Sequence, residues 1–194
     1  SPSNLGGAKA LPGAGDETQA AKSRGTALHA LLQHLPDQPI SHWPTLAQAL
    51  VQDTDLRPQL LEKAAQLIHD PALARVFDPN SLAEQPIIGQ LHGRPALGTI
   101  DRLCIGDHDI LAVDFKTNRQ VPASAADCPE GVLRQMGAYA ALLRQAFPSH
   151  MVRTAILWTE TGQLMVLDDD IVSAALSRAT TDGVWPLDDS VPAT

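Results

Sequence analysis

Asp101, Asp114 and Lys116 combine the side-chain types and the spacing needed for metal-assisted hydrolysis. They lie in two runs rich in branched residues, 98–105 and 109–117, on either side of the polar stretch Gly106-Asp107-His108-Asp109. Branched runs bounded by turn formers predict a β-hairpin. With residues 106–109 as the loop, Ile105 faces Ile110, and counting outward sets Asp101 opposite Asp114. Like charges directly opposed at roughly 5 Å are destabilising. A cation between them removes the conflict. Period-2 alternation puts Lys116 on the same face as Asp114. A lone acid on a strand is commonly just solvated; two opposed acids with a lysine point instead to metal-dependent phosphodiester chemistry.

These side chains need a scaffold, and the hydrophobic pattern supplies one. Leu28, Leu31, Leu32 and Leu35 recur at helical spacing and predict a helix over 26–35, with His29 one step off the apolar stripe. Pro36 and Pro39 close it. Further helices are expected after Pro44, over 57–69 and briefly over 72–76. A first strand is expected over 84–91, with Pro86 marking an edge or a strand start. Glu84 stands just ahead of it as a weak candidate for the site. After the hairpin come a polar loop (118–130), a helix (131–147), strands at 153–159 and 163–167, and a last helix over 168–180. That helix opens on Asp168, Asp169 and Asp170, where acids suit the dipole. Gln135 and Tyr139 share one face of the 131–147 helix at i and i+4. The order predicts an α/β or α+β sandwich. Residues 1–21, rich in Gly, Ala, Pro and Ser, read as a flexible linker or tail, 22–182 as the domain, and 183–194 as an acidic tail.

At 194 residues the chain fits one domain and buries roughly 70% of its unfolded surface. Aromatics make up only 4%, so the core rests on Leu, Val, Ile and Ala. Cys104 and Cys128 are too few for a disulfide framework or a four-cysteine cluster, and Cys104 reads as a small core residue. No apolar run reaches membrane-spanning length and no secretory pattern opens the chain. The first residue is Ser1, which fits a piece of a larger protein, and a cytoplasmic setting is expected. A net charge of −8 argues against a free-standing, charge-driven nucleic-acid binder. Residues 91–144 are neutral, however, with Arg94, Arg102, Lys116, Arg119, Arg134 and Arg144 balancing Asp101, Asp107, Asp109, Asp114, Asp127 and Glu130. Two of those acids on a divalent ion would leave the local site positive. Arg24, Arg102, Arg119 and Arg134 are expected chiefly as solvated charges. Trp43, Trp158 and Trp185 are too scattered for a base-stacking platform.

His29 in a helix, Gly98-Thr99-Ile100-Asp101, Asp114-Phe115-Lys116 and Gln135-Met136-Gly137-Ala138-Tyr139 follow one another along the chain. In this order they resemble the RecB-type branch of the PD-(D/E)XK nucleases, which has a helix histidine, a GxxD strand, a DxK strand and a QxxxY helix. The fuller phrases 25–32 and 114–119 are similar to the C-terminal nuclease domains of AddA-type helicase–nucleases. These work with an AddB-type subunit in bacterial double-strand break repair. The resemblance covers about residues 23–168. It implies an α/β, restriction-endonuclease-like core with a mixed central sheet flanked by helices.

The resemblance also implies a site. Mg²⁺, with Mn²⁺ possible, is a hard cation that prefers oxygen ligands, here Asp101 and Asp114. The family adds the Phe115 carbonyl and the His29 imidazole. Lys116 would orient the attacking water and stabilise the phosphate electrostatically. Its pKa is pulled down by a cation and burial and pushed up by two carboxylates, a contest the sequence leaves open. Gln135 is expected on phosphate or on Lys116, and Tyr139 likewise or one layer behind. Both residues can also serve merely to satisfy buried polar groups. No iron–sulfur cluster is expected, in contrast to AddB-type domains, and no phosphate loop of an ATPase is present in the sequence. The implied partners are single-stranded DNA delivered by a helicase motor and an AddB-type subunit in a bacterial cytoplasm, with no membrane. A catalytically silent docking or DNA-end-binding module is the alternative; a stand-alone RecB-like exonuclease is a third.

Overall fold

The computed structural model describes residues 15–118 and 120–181; residues 1–14 of the expected tail 1–21, the expected tail 183–194 with Trp185, and Arg119 lie outside the described residues. Five strands form one mixed sheet in the order β1-β2-β3-β4-β5. β1 (Leu82–Leu91), β2 (Arg94–Ile105) and β3 (Asp109–Lys116) are an antiparallel meander. β1 turns into β2 through His92 and Gly93, both at positive φ (51° and 77°), the backbone a tight two-residue hairpin demands. That turn starts β2 at Arg94, four residues before the Gly98 expected from the apolar run. β4 (Met151–Trp158) lies parallel to β3, from Asp109↔Met151 to Lys116↔Trp158, and β5 (Gln163–Leu167) closes the sheet antiparallel. A parallel pair needs a long crossover, and α4 (Glu130–Ala146) supplies it. Pro86 sits in β1, an edge strand, where a missing N–H costs no ladder bond.

Helices cover both faces. α1 (Gly15–His34), α2 (Trp43–Leu50) and α3 (Arg57–Ile68) share a core with Leu111, Val113 and Phe115 of β3. α4 and α5 (Asp169–Thr181) pack on the other face, with Ile110 and Ala112. The fold is therefore α/β, a mixed central sheet flanked by helices. Burial on alternate faces of β3 puts Asp114 on the α4 side, in step with Ala112, and Lys116 with it.

α1 is longer than expected. It begins at Gly15, so residues 15–21, expected in the tail, are helical. Ala20, Ala21, Lys22 and Ser23 are all exposed, and a helical stretch with no buried face leaves no apolar stripe to read. The short helix expected over 72–76 is a 3-10 turn, Pro71–Leu73, whose first turn is capped by the Asp70 carboxylate accepting from the Ala72 N–H at 2.9 Å. Cys104 is buried as expected, and burial pushes its thiol up to about 11. It is an inert thiol at neutral pH.

The α4–α5 contact is tight at Gly137. A Cβ there would stand 2.3 Å from the Val172 carbonyl oxygen, so backbone and not a flexible side chain would have to move. Gly137→Ala is expected to destabilise the fold by about 1–3 kcal/mol through overpacking. The urea midpoint reads this out; an unchanged midpoint would mean that the helices separate at no cost.

Candidate metal and phosphodiester site

The site forms where the meander opens. The β2–β3 ladder runs from Ile105↔Ile110 to Arg102↔Val113 and stops. One step further in the same register, Asp101 and Asp114 stand opposite each other without pairing. In place of a ladder bond, the Asp101 carboxylate accepts the Phe115 N–H at 2.5 Å. β1 is interrupted at the same level: Ala83↔Arg102 and Gln85↔Ile100 pair, whereas Glu84 and Asp101 between them do not. Glu84 has φ 48°, a left-handed backbone that costs a non-glycine residue energy and clusters at functional sites. The pleat shifts here, since Ile100 and Leu103, three apart, both face the α4 side while Cys104 faces α1–α3. Such a break re-aims side chains, as bulges do beside active sites.

Asp114 is only 4% exposed. The Lys116 Nζ lies 2.7 Å from its Oδ2, an ion pair that partners the buried carboxylate. His29 reaches over from α1. Its Nε2 is 3.1 Å from the Phe115 carbonyl oxygen and its Nδ1 3.9 Å from Asp101 Oδ2, with its ring edge-on to Phe115. Gly25, one turn earlier, lets α1 come so close to the strand end that a Cβ would meet Thr117 Oγ1 at 2.8 Å. From α4, Gln135 Oε1 accepts from Lys116 Nζ at a long 3.5 Å, and its Nε2 donates to the Tyr139 hydroxyl at 2.9 Å. That hydroxyl donates to the Thr99 carbonyl at 2.6 Å, tying α4 to β2 two residues before Asp101. Tyr139 is wholly buried, so it acts from behind Gln135.

Charges in this site are tightly coupled. Burial, reinforced by the charge of Asp114, raises the Asp101 carboxyl well above the ordinary range. Burial lowers His29 despite the pull of Asp114, which favours a neutral imidazole, the form that binds metals. For Lys116, burial pulls down, but the charge and contact of Asp114 win and leave its pKa raised. Between burial and the carboxylates, the carboxylates win; the effect of a cation on Lys116 comes on top of that balance.

His29, Asp101, Asp114, Phe115, Lys116, Gln135 and Tyr139 are all brought together, from α1, β2, β3 and α4. Glu84 joins them: its charge adds to the upward push on both Asp101 and His29. It is the third residue of β1 and not a residue ahead of the strand. The sequence places the start of this strand at 84–86, and the structure begins it earlier, at Leu82. The arginines lie elsewhere. Arg24 is 3.6 Å from Glu160 and Arg134 is 3.3 Å from Glu130. Arg102, expected in solvent, is completely buried.

The donor set suits a hard divalent cation. A buried carboxylate, a second carboxyl that resists ionising beside it, a neutral imidazole and a backbone carbonyl all gain from one. Among the described residues no three His, Cys, Asp or Glu side chains form a ready-made metal cluster.

The family model described as the PD-(D/E)XK nuclease superfamily matches residues 4–175. The chain belongs to the PD-(D/E)XK nuclease superfamily. Members of this superfamily are in general metal-dependent nucleases, which accords with the oxygen-rich donor set of this PD-(D/E)XK domain. No curated protein matches the chain. Among solved structures, the crystal structure of SSO0001 is 14% identical, with a TM-score of 0.34 over 89% of this chain and 88% of that one. No helix among the described residues is long and apolar enough to cross a membrane.

Proposed function

We propose that this PD-(D/E)XK domain is the DNA nuclease module of an AddAB-type helicase–nuclease, cutting single strands unwound at double-strand breaks for recombinational repair. The observation that carries nuclease chemistry is the opposed pair Asp101 and Asp114 with Lys116 Nζ 2.7 Å from Asp114. His29, Asp101, Asp114 and the Phe115 carbonyl would hold Mg²⁺ or Mn²⁺. Such an ion, when bound by these residues, would supply a water of lowered pKa and positive charge beside the phosphate. Lys116, protonated and buried, presents its N–H groups to the attacking oxygen and the phosphoryl oxygens. Gln135 keeps the lysine aimed, and Tyr139 keeps Gln135 in place through Thr99. The AddA-type assignment is supported by the phrases 25–32 and 114–119 and by the acidic net charge of −8, which suits DNA delivered by a motor and an AddB-type partner. A bacterial cytoplasm follows from that role.

Circular single-stranded DNA incubated with Mg²⁺, Mn²⁺ or EDTA tests the reading. Cutting is expected only with metal, and Lys116→Ala is expected to slow it about 10²–10³-fold, the usual cost of one electrostatic donor. Mn²⁺ binding without cutting would mean that the module needs its motor. Neither binding nor cutting would overturn the enzyme and leave a docking module. A helicase motor upstream in the full-length protein separates the tethered nuclease from a stand-alone RecB-like exonuclease.

A further inference from the structure

Arg102 follows Asp101 directly, and its side chain has no solvent exposure. Nη2 donates to the carbonyls of Leu32 at 2.9 Å and Gln33 at 3.3 Å; Nη1 donates to the Ser81 carbonyl and hydroxyl at 3.4 and 3.3 Å. The Phe77 ring stands 5.7 Å from the guanidinium carbon. Nε has no hydrogen-bond partner among the described residues. These partners are carbonyls and a hydroxyl, none of them a carboxylate. A buried charge so held is expensive, and a well-packed apolar side chain would ordinarily serve stability as well or better.

What the guanidinium meets is the end of a helix. α1 stops at His34, so the Leu32 and Gln33 carbonyls are among the last four, which lack helical partners and carry the negative end of the dipole. Leu32 and Gln33 come one turn after His29 and on its side of α1. α1 therefore meets the sheet at two successive turns: His29 on Phe115 and Asp101, then the two carbonyls on Arg102. The shifted pleat lets adjacent residues, Asp101 and Arg102, both address α1. Nη1 meanwhile ties down Ser81, which enters the strand carrying Glu84.

We propose that Arg102 is a positioning residue: a buried guanidinium clamp on the C-terminal carbonyls of α1 that sets His29 against Asp101 and the Phe115 carbonyl. The clamp deepens the metal reading above, and its test separates the two. Mn²⁺ binding is measured by calorimetry on wild type, Arg102→Met, His29→Ala and the double variant, each first shown to be folded by circular dichroism. Arg102→Met is expected to weaken Mn²⁺ about tenfold, the low end for a residue that orients a ligand. In the His29→Ala background the same change is expected to shift affinity by no more than about twofold, because the clamp acts through His29. A general loss of structure would weaken both backgrounds equally.

If Arg102→Met does not fold, Arg102→Lys, which keeps the charge but not the fork, carries the cycle. Binding within about twofold of wild type, or equal losses with and without His29, overturns the clamp. If wild type binds no Mn²⁺, the metal reading fails, and amide exchange in metal-free protein decides the clamp. Faster exchange confined to the last turns of α1 supports it, and unchanged protection from His29 to Leu35 overturns it.

Discussion

Asp114→Asn is expected to leave a folded protein that cuts DNA about a thousandfold more slowly or worse, since it removes a charge both from the metal set and from Lys116. Asparagine fills the same space, so the 4% exposed position remains packed. What changes is electrostatic. Asp114 is the partner of Lys116 and its charge raises the pKa of both Asp101 and Lys116. With an amide there, Asp101 ionises more readily, whereas Lys116 keeps the burial penalty without the compensating carboxylate. Two defects follow from one substitution: weaker hold on the divalent ion and an ammonium less firmly protonated beside it. Single-turnover cleavage at saturating Mg²⁺ measures the combined loss, and thermal unfolding checks that the fold survives. Activity within tenfold of wild type would mean that Asp114 is a structural acid, and the reading built on the opposed pair would fall.

Much of this site was legible in the sequence because a hairpin obeys simple counting. With residues 106–109 as the loop, period-2 alternation and the opposed register put Asp101, Asp114 and Lys116 together, and the ladder Ile105↔Ile110 to Arg102↔Val113 has that register. β5 matches the expected span, 163–167, because its apolar run is bounded by turn formers on both sides. Part of the early α1 was hidden by exposure: with Ala20, Ala21, Lys22 and Ser23 all in solvent, that stretch has no period to detect. Arg102 was hidden by its type. Arginine is rarely buried, and only the arrival of a helix end over β2 turns it inward. Glu84 is only a weak candidate in the sequence because Pro86 suggests a strand start, whereas the strand begins at Leu82 and passes through a positive φ at Glu84. In each case the missing information was tertiary, a matter of which segment arrives opposite a given residue. The register within one hairpin is local, and so it could be read.

Protons are expected to compete with the metal, and the sign follows from the buried carboxyl. Asp101 is raised, first by burial and then by Asp114, so the metal-free fold holds a proton there that the unfolded chain has released. Its contribution to stability is fully present below about pH 4, the unfolded pKa, and is lost as pH rises through the raised value. His29 runs the other way: its pKa is lowered by burial, so its contribution is present above about pH 6.5 and is lost as pH falls through the lowered value. For metal binding the two act in concert, because a divalent ion needs Asp101 ionised and His29 neutral. Apparent Mn²⁺ affinity should therefore rise with pH, by up to about tenfold per unit for each proton displaced. Above about pH 6.5 His29 is neutral in either state, so any remaining slope belongs to Asp101. Calorimetry in buffers of different ionisation enthalpy counts the protons released per ion, and the stabilisation by Mn²⁺ should grow over the same range. His29→Ala should bind more weakly yet keep the slope above pH 6.5. If no proton is released at any pH from 5 to 8, Asp101 is already ionised without metal, and the coupling between the two aspartates is too weak to require a cation.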